Sequence, residues 1–205
     1  MDTFERYEKK YMLSQKQYLS LMERIGGRLT ADRYASSRIH NIYYDTPSRL
    51  LIRRSLEKPV YKEKLRLRCY GSADADSQAF VEIKKKYRDV VYKRRVEMPL
   101  GQAVSCLAGK VPIVPGEETQ IERELMWMLR YYQNLEPAMY IYYERTALVG
   151  RQDPLLRITF DSRLLWRDRD LDLRAGAYGD PLLKEGYRLM EVKIPQAMPL
   201  WLAMP

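Results

Sequence analysis

One segment of this chain could bind phosphate through the spacing of its charged side chains. Residues 62–70, KEKLRLRCY, have a lysine or arginine at every second position from 62 to 68, with mainly apolar side chains between them. Successive side chains of a β-strand point to opposite faces, so a strand here would carry its cations on one face. Arginine offers phosphate oxygens a bidentate fork, and lysine offers a point charge. The cations of this segment are Lys62, Lys64, Arg66 and Arg68.

The same alternation recurs in six other segments, and together the charged positions are strongly cationic. A sheet with one face in water also alternates, but its charged face usually mixes both signs with neutral polar side chains. Like charges opposite one another on neighbouring strands repel, so a face this basic favours an anionic ligand. The thirteen bases are Arg6, Lys10, Lys62, Lys64, Arg66, Arg68, Lys84, Lys86, Lys93, Arg95, Arg145, Arg157 and Lys193; the five acids are Glu8, Glu82, Glu97, Asp161 and Glu191.

The elements that must position these side chains are mainly strands. Helices are predicted over 15–25, with Ser14 as N-cap, over about 47–54 and over about 118–133. Residues 100–134 have helical periodicity with a break at 112–116, and the last residues of the sequence begin another helix. Trp127, Tyr131 and Tyr132 are predicted to be core residues. Strands are predicted over 4–13, 38–44, 62–70, 79–86, 90–98, 138–149, 155–161 and 187–194, and a weaker one over 163–168.

This pattern predicts an α+β fold, in which an eight-stranded antiparallel sheet closes into a barrel and helices pack outside it. About eight strands can close with an interior just wide enough for side chains. Long charged side chains cannot line a dry interior, because buried unpaired charge is too costly. We therefore expect a wet tunnel about 20 Å long, in a single domain spanning residues 1–205. A nucleoside triphosphate or a short phosphate chain would fit such a tunnel.

Composition excludes several other classes of protein. The two cysteines and single histidine are too few for a disulfide framework or a zinc site, and no motif supports a Cys–His nucleophile pair. No apolar run approaches the roughly 20 residues of a membrane span. The N-terminus does not resemble a signal peptide, so a cytoplasmic location is expected. The net charge of +9 favours polyanions, but the IKKKYR run at 83–88 alternates as a strand does. Nucleic acid is therefore not expected to be the main ligand.

Eight short motifs, in this order, resemble the VTC domain, the polyphosphate polymerase domain of the vacuolar transporter chaperone complex. This domain also occurs in stand-alone bacterial proteins and belongs to the triphosphate tunnel metalloenzyme (CYTH-like) superfamily. The resemblance extends over about residues 4–201. The motifs are Arg6-x-Glu8-x-Lys10-Tyr11, IYYDT (42–46), KLRLRCYG (64–71), FVEIKKK (80–86), VYKRR (91–95), YYERTAL (142–148), LRITFD (156–161) and LMEVKI (189–194).

The resemblance implies a divalent metal, Mn²⁺ or Mg²⁺, and transfer of the ATP γ-phosphate onto a polyphosphate chain. It implies that Glu191 is the principal metal ligand, assisted by Glu8. Any translocation of the product would need membrane or transporter partner chains. The residues that would hold the triphosphate or the product are Lys10, Arg66, Arg68, Lys84, Lys93, Arg145, Arg157 and Lys193, with further substrate contacts from Arg6, Lys64, Lys86, Arg95 and Tyr143.

Two departures from the family pattern affect these expectations. The wider superfamily has Glu-x-Glu-x-Lys in its first strand, whereas this chain has Arg6 at the first position. This change weakens a two-metal hydrolase mechanism and suits a longer anion. The Ser-Lys-Tyr segment that usually follows the last strand is also missing, which affects the expected activity. The alternatives are an inorganic or thiamine triphosphatase, a nucleotidyl cyclase, and a non-catalytic module that binds polyphosphate or nucleic acid.

Overall fold

The computed structural model describes residues 7–88, 90–109, 119–195 and 197–203. Over these ranges the fold is α+β, and every strand pair whose register is defined is antiparallel. The strands are β1 (Tyr7–Leu13), β2 (Leu29–Asp45), β3 (Tyr61–Tyr70), β4 (Gln78–Tyr87), β5 (Val90–Pro99), β6 (Glu136–Gly150), β7 (Arg157–Arg167), β8 (Asp180–Pro181) and β9 (Arg188–Ile194); the helices are α1 (Gln15–Ile25), α2 (Leu50–Leu56), α3 (Leu100–Leu107), α4 (Gln120–Tyr131) and α5 (Leu200–Ala203).

The chain divides into two compact units. The first unit falls within residues 1–38, 143–165 and 181–205, and the second within 39–142 and 166–180. Strands β2, β6, β7 and β8 contribute residues to both units. The single domain predicted over 1–205 therefore stays a prediction.

The first unit carries the strand order β1-β9-β7-β6-β2, and β8 also pairs with β7. Its core is apolar and includes Ile158, Phe160 and Val192 from β7 and β9. Helix α1 begins where the sequence predicts, because Ser14 and Gln17 form a capping box that satisfies free backbone N–H groups of the first turn. The helix buries Ile25 in this core.

The second unit carries the strand order β6-β2-β3-β4-β5. Leu65, Leu67 and Cys69 of β3 are fully buried, and their partners across β4 are Ile83, Val81 and Ala79. Helix α2 contacts β3, and α3 and α4 contact β5. One face of β3 and β4 is therefore core, which leaves the opposite face for the charged side chains.

A buried arginine organises the loop that follows β7 in the second unit. Arg167 is fully buried and donates to the main-chain carbonyls of Asp170, Asp172, Gly176 and Tyr178 at 2.8–3.1 Å. Its guanidinium also lies over the ring of Tyr140, at 3.5 Å from the centroid, and over the ring of Tyr178 at 4.1 Å. All four of these acceptors are main-chain carbonyl groups, so the backbone of the loop holds the guanidinium.

Three sequence predictions need correction. Strand β2 begins at Leu29 rather than at residue 38. Helix α2 begins at Leu50, because Thr46 and Arg49 close a turn and the Asp45 carboxylate accepts from the N–H groups of Leu51 and Ile52. Trp127 and Tyr131 were predicted to be core residues, but both are half-exposed and stack on each other; Tyr132 is buried as predicted.

Other predictions fall outside the described ranges or receive partial support. The start of the first predicted strand, which includes Arg6, and the break at 112–116 lie outside the described residues. None of the helices in the described ranges is both long and apolar enough to cross a membrane. The cytoplasmic location stays a prediction.

Candidate functional site

The second unit brings seven of the predicted phosphate-binding cations onto one face of three neighbouring strands. Residues directly opposite one another in an antiparallel pair share a face. The register of β3, β4 and β5 therefore places the even-numbered cations of β3 and β4 together with the odd-numbered ones of β5. These residues are Lys64, Arg66, Arg68, Lys84, Lys86, Lys93 and Arg95, and Lys62 lies on the same face.

Three lysines form a row across this face. Lys84 of β4 lies directly opposite Lys64 of β3 and directly opposite Lys93 of β5. Like charges in such positions destabilise a sheet. Lys84 and Lys93 are exposed, whereas Lys64 is partly buried, so a ligand from solvent can reach the row. We call Lys64, Lys84 and Lys93 the lysine row.

One buried carboxylate organises the cations next to the lysine row. Glu82 is only 1% exposed. It accepts from Arg66 Nε, and Lys93 Nζ lies 2.8 Å from it. Arg68 Nε lies 3.7 Å away. Burial raises the pKa of the Glu82 carboxyl, but the three cations lower this pKa by more than burial raises it. The net pKa therefore lies below the usual range. Glu82 is therefore an anion at neutral pH that positions Arg66, Arg68 and Lys93.

Strand β2 supplies two neutral side chains that hold the same arginines. Asn41 is fully buried, accepts from Arg68 Nε at 2.9 Å, and donates to the carbonyl of Ile141 at 3.0 Å. The hydroxyl of Tyr43 accepts from Arg66 Nη1 at 3.3 Å. Burial raises the pKa of Tyr43, but the neighbouring Arg66 and Arg68 lower it more, so the net pKa is below its ordinary value. Both guanidinium groups are thus oriented before any ligand binds.

The first unit contains a second charged cluster, centred on Glu191 of β9. Glu191 is 7% exposed. Its carboxylate lies 2.6 Å from Lys193 Nζ, 3.8 Å from Lys10 Nζ and 4.0 Å from Arg145 Nη2. Burial raises the pKa of Glu191, but these cations lower it more, so the net pKa falls below the usual range. Glu8 also belongs here, because its carboxylate lies 3.2 Å from Lys10 Nζ.

Two acids hold the arginines of this unit. Arg145 makes a bidentate pair with Asp161, at 2.6 and 2.7 Å, and these hydrogen bonds help to raise its pKa despite burial. Arg157 Nη2 lies 2.8 Å from the Asp32 carboxylate. Tyr143, predicted as a substrate contact, lies under the Arg145 guanidinium at 5.1 Å. These arginines are therefore fixed by carboxylates, as Arg66 is in the second unit.

The carboxylates of the first unit fit a divalent cation that is also bound by phosphate. Among the residues that the structure describes, no group of three or more His, Cys, Asp or Glu side chains could hold a metal ion on its own. Mg²⁺ commonly uses only one or two carboxylates and takes its other ligands from water and substrate phosphates. Glu191 and Glu8, which share a face of the β1–β9 pair, meet that requirement.

The first unit also has a groove of about 510 Å³, but it is not part of either charged cluster. Tyr11, Leu21, Met190 and Met198 are among its lining residues, and none of the predicted phosphate or metal contacts lines it. The groove lies on the apolar face of β1 and β9, since Tyr11 pairs with Met190. The predicted phosphate and metal contacts of β1 and β9 therefore lie on the other face.

A family comparison identifies the domain to which these charged faces belong. The model of the VTC domain family matches residues 5–204, which is nearly the whole chain. The chain belongs to the VTC domain family. The match confirms the family predicted from the motifs. A comparison with curated proteins gives no match.

One solved structure confirms the fold class of this VTC domain. A candidate adenylate cyclase from Bacillus halodurans has a TM-score of 0.53 and 14% identity, over 91% of this chain and 78% of that chain. At this identity the likeness shows the fold alone. Two other structures have lower TM-scores. A candidate adenylyl cyclase from Hippeastrum, described as revealing a dominant triphosphatase activity, has a TM-score of 0.49 and 12% identity, over 93% of this chain and 79% of that chain. A candidate adenylate cyclase from Vibrio parahaemolyticus has a TM-score of 0.48 and 14% identity, over 97% of this chain and 80% of that chain.

Sequence reasoning did not predict that several residues hold the cations of this VTC domain. Glu82 and Asp161 were placed on the charged face, but their ion pairs were not predicted. Asp32, Asn41 and Tyr43 were not considered. A signal was present for Glu82, because it is the one acid among the charged residues on that face of its strand segment, the others being Lys84 and Lys86.

Proposed function

We propose that this VTC domain is a metal-dependent phosphoryl transferase that moves the γ-phosphate of ATP onto a polyphosphate chain. The lysine row is the observation that carries this proposal. Three cations that lie directly opposite one another on adjacent strands form a line of positive charge, and a linear polyanion complements that line along its length. A polyphosphate has a charge on every unit and so matches a row better than a single compact anion does.

The proposed reaction needs positioning and charge neutralisation more than proton transfer. A terminal phosphate oxygen of the acceptor attacks the γ-phosphorus of ATP, the bond to the bridging oxygen breaks, and ADP leaves. The attacking oxygen is already anionic, so no general base is required. Arg66 and Arg68, oriented by Glu82 and Asn41, would bind phosphate oxygens through fixed donors. Such preorganised charges are the main source of catalysis in phosphoryl transfer.

The metal would belong to the first unit. Glu191, with Glu8 beside it, would hold Mn²⁺ or Mg²⁺ and leave positions open for phosphate oxygens. When bound, the ion supplies neutralisation of charge on the phosphates. Lys10, Lys193 and Arg145 surround the same carboxylate. With Glu191 paired to the metal ion, these three cations would be available to bind phosphate. Arg157 stays a proposed phosphate contact, since it is half-exposed.

Lys84→Gln tests the lysine row. The change removes the middle cation of the row, which lies directly opposite Lys64 and Lys93. The affinity for tripolyphosphate should fall about fivefold at low ionic strength, because one unit charge near 4 Å contributes about 1 kcal/mol in water. The loss should shrink as salt increases. Titration calorimetry at two salt concentrations measures the change in affinity.

Lys85→Gln is the matched control. Lys85 is the next residue of β4, points to the opposite face, and pairs with Glu124 at 3.0 Å. Its removal should leave the affinity for tripolyphosphate unchanged. Equal losses for the two variants would mean that net charge, and not the row, drives binding.

The polymerase activity is tested by incubating the protein with ATP and Mn²⁺ and analysing the products. We expect a ladder of polyphosphate on a gel, together with ADP. Free phosphate without a ladder would identify a triphosphatase instead. Tight polyphosphate binding without any ATP turnover would identify a binding module.

A further inference from the structure

The hydroxyl of Thr159 is the most unusual polar group of the Glu191 cluster. Thr159 lies on β7, is 2% exposed, and its Oγ1 atom has no hydrogen-bond partner among the described residues. Buried polar atoms in folded proteins are nearly always hydrogen-bonded, because leaving one unsatisfied costs free energy. A group of this kind next to charged residues indicates a ligand that satisfies it.

The register of the sheet places this hydroxyl beside the Glu191 carboxylate. Thr159 and Glu191 are direct partners in the β7–β9 pair, so their Cβ atoms lie about 4.5–5.5 Å apart on one face. Arg157 and Asp161 flank Thr159 on that face of β7, and each is already held by an ion pair. Thr159 is therefore a neutral oxygen within a cluster of paired charges.

The chemistry of the hydroxyl suits a hard divalent cation. Mg²⁺ and similar ions are bound by oxygen atoms, both charged and neutral. A Ser or Thr hydroxyl next to bound phosphates serves as such a ligand in the P-loop proteins. A neutral ligand also fits the charge balance, because the carboxylates of Glu191 and Asp161 already interact with three cations, Lys10, Lys193 and Arg145.

We propose that Thr159 Oγ1 is an oxygen ligand to the divalent cation that Glu191 holds. The inference relies on the metal-binding part of the proposed function and not on polymerase activity. It makes the site a mixed one, with two carboxylates and one hydroxyl from three neighbouring strands.

The test compares Thr159→Val, which keeps the shape of the side chain, with Thr159→Ser, which keeps the hydroxyl. Without metal, in EDTA, Thr159→Val should unfold at a higher temperature than the wild type, because the unsatisfied hydroxyl is gone. Its affinity for Mn²⁺, measured by electron paramagnetic resonance, should fall tenfold or more. Thr159→Ser should stay within about threefold of the wild type. Thr146→Val, which removes an exposed hydroxyl of β6, should leave Mn²⁺ affinity unchanged.

Four results would overturn the inference. An unchanged Mn²⁺ affinity in Thr159→Val would show that the hydroxyl is not a ligand, and so would a wild type that binds neither Mn²⁺ nor Mg²⁺. A loss confined to tripolyphosphate binding in EDTA would make the hydroxyl a phosphate donor instead. A lower unfolding temperature for Thr159→Val in EDTA would show that the hydroxyl is satisfied without metal. A wild type that binds Mn²⁺ through Thr159 but makes no polyphosphate would support the inference and refute the polymerase.

Discussion

Replacing Glu82 with glutamine is expected to lower the free energy of unfolding by about 3 kcal/mol at neutral pH. Removing one partner of a buried ion pair leaves the other charge uncompensated and costs about 3–5 kcal/mol. Here the lower end applies, because Lys93 is 46% exposed and Arg66 21%, which lets water solvate part of the released charge. Arg68 is the most deeply buried of the three cations and should be affected most.

The effect of Glu82→Gln should depend on pH with a defined sign. The net pKa of Glu82 is below its ordinary value in the folded protein. Its contribution to stability is therefore fully present above the pKa of an unfolded glutamate, about 4.3, and is lost as the pH falls through the lower folded pKa. The difference between wild type and variant should be largest near neutrality and should shrink in acid. Urea unfolding at several pH values measures it.

Glu97→Gln is the control for this change. Glu97 lies on the same face of the sheet, opposite Phe80, but is exposed and interacts with Gln78. Its loss should change stability by no more than about 0.5 kcal/mol. Saturating tripolyphosphate should narrow the gap between wild type and Glu82→Gln, since a bound anion can replace the missing charge. A Glu82→Gln protein as stable as the wild type would refute the role of Glu82 as organiser.

Replacing Glu191 with glutamine should lower metal-dependent turnover at least about a hundredfold. A bound divalent ion contributes several kcal/mol of charge stabilisation in phosphoryl transfer, and the amide is a much weaker ligand than the carboxylate. The change also leaves Lys193 without its 2.6 Å partner, so binding of tripolyphosphate in EDTA should not weaken. Metal-dependent turnover should therefore fall, while the affinity for tripolyphosphate in EDTA should not.

The matched control for Glu191→Gln is Glu144→Gln. Glu144 also belongs to the first unit and pairs with an arginine, Arg163, at 3.1 Å, but its side chain is 40% exposed. The Glu144→Gln variant should have a turnover close to that of the wild type. Circular dichroism and urea unfolding must show that Glu191→Gln is folded. A folded Glu191→Gln protein with unchanged turnover would mean that the metal is held elsewhere.

The alternation of charge in single strands predicted which face most of the cations occupy. This worked because a period of two encodes the face directly, as the fully buried Leu65 and Leu67 and the charged face of β3 demonstrate. The same pattern could not show that Arg66, Arg68 and Lys93 converge on Glu82. Convergence depends on the register between strands, and no single strand contains that information.

Other elements were missed for different physical reasons. The first half of β2, residues 29–37, consists mainly of small and polar side chains without alternation, so neither the strand nor the Asp32 pair with Arg157 was predicted. Helix α4 has one buried stripe, which Leu125 and Met128 occupy. Trp127 lies off that stripe, so its hydrophobicity alone was misleading. Whether the Thr159 hydroxyl has a partner depends on the groups that neighbouring strands bring near it, so no pattern within β7 predicts it.

The way Arg167 holds its loop has a consequence for protein engineering. All of its hydrogen bonds in this loop go to main-chain carbonyls between Asp170 and Tyr178 and not to the side chains of the loop. Exposed positions such as Asp168 and Arg169 should therefore accept new side chains, whereas the buried Leu173 and Gly176, at a φ of +87°, should not. Arg167 itself should not tolerate lysine, because an ammonium has fewer donors and no planar surface to lie between Tyr140 and Tyr178. The loop is a natural position for introducing a label or an affinity handle.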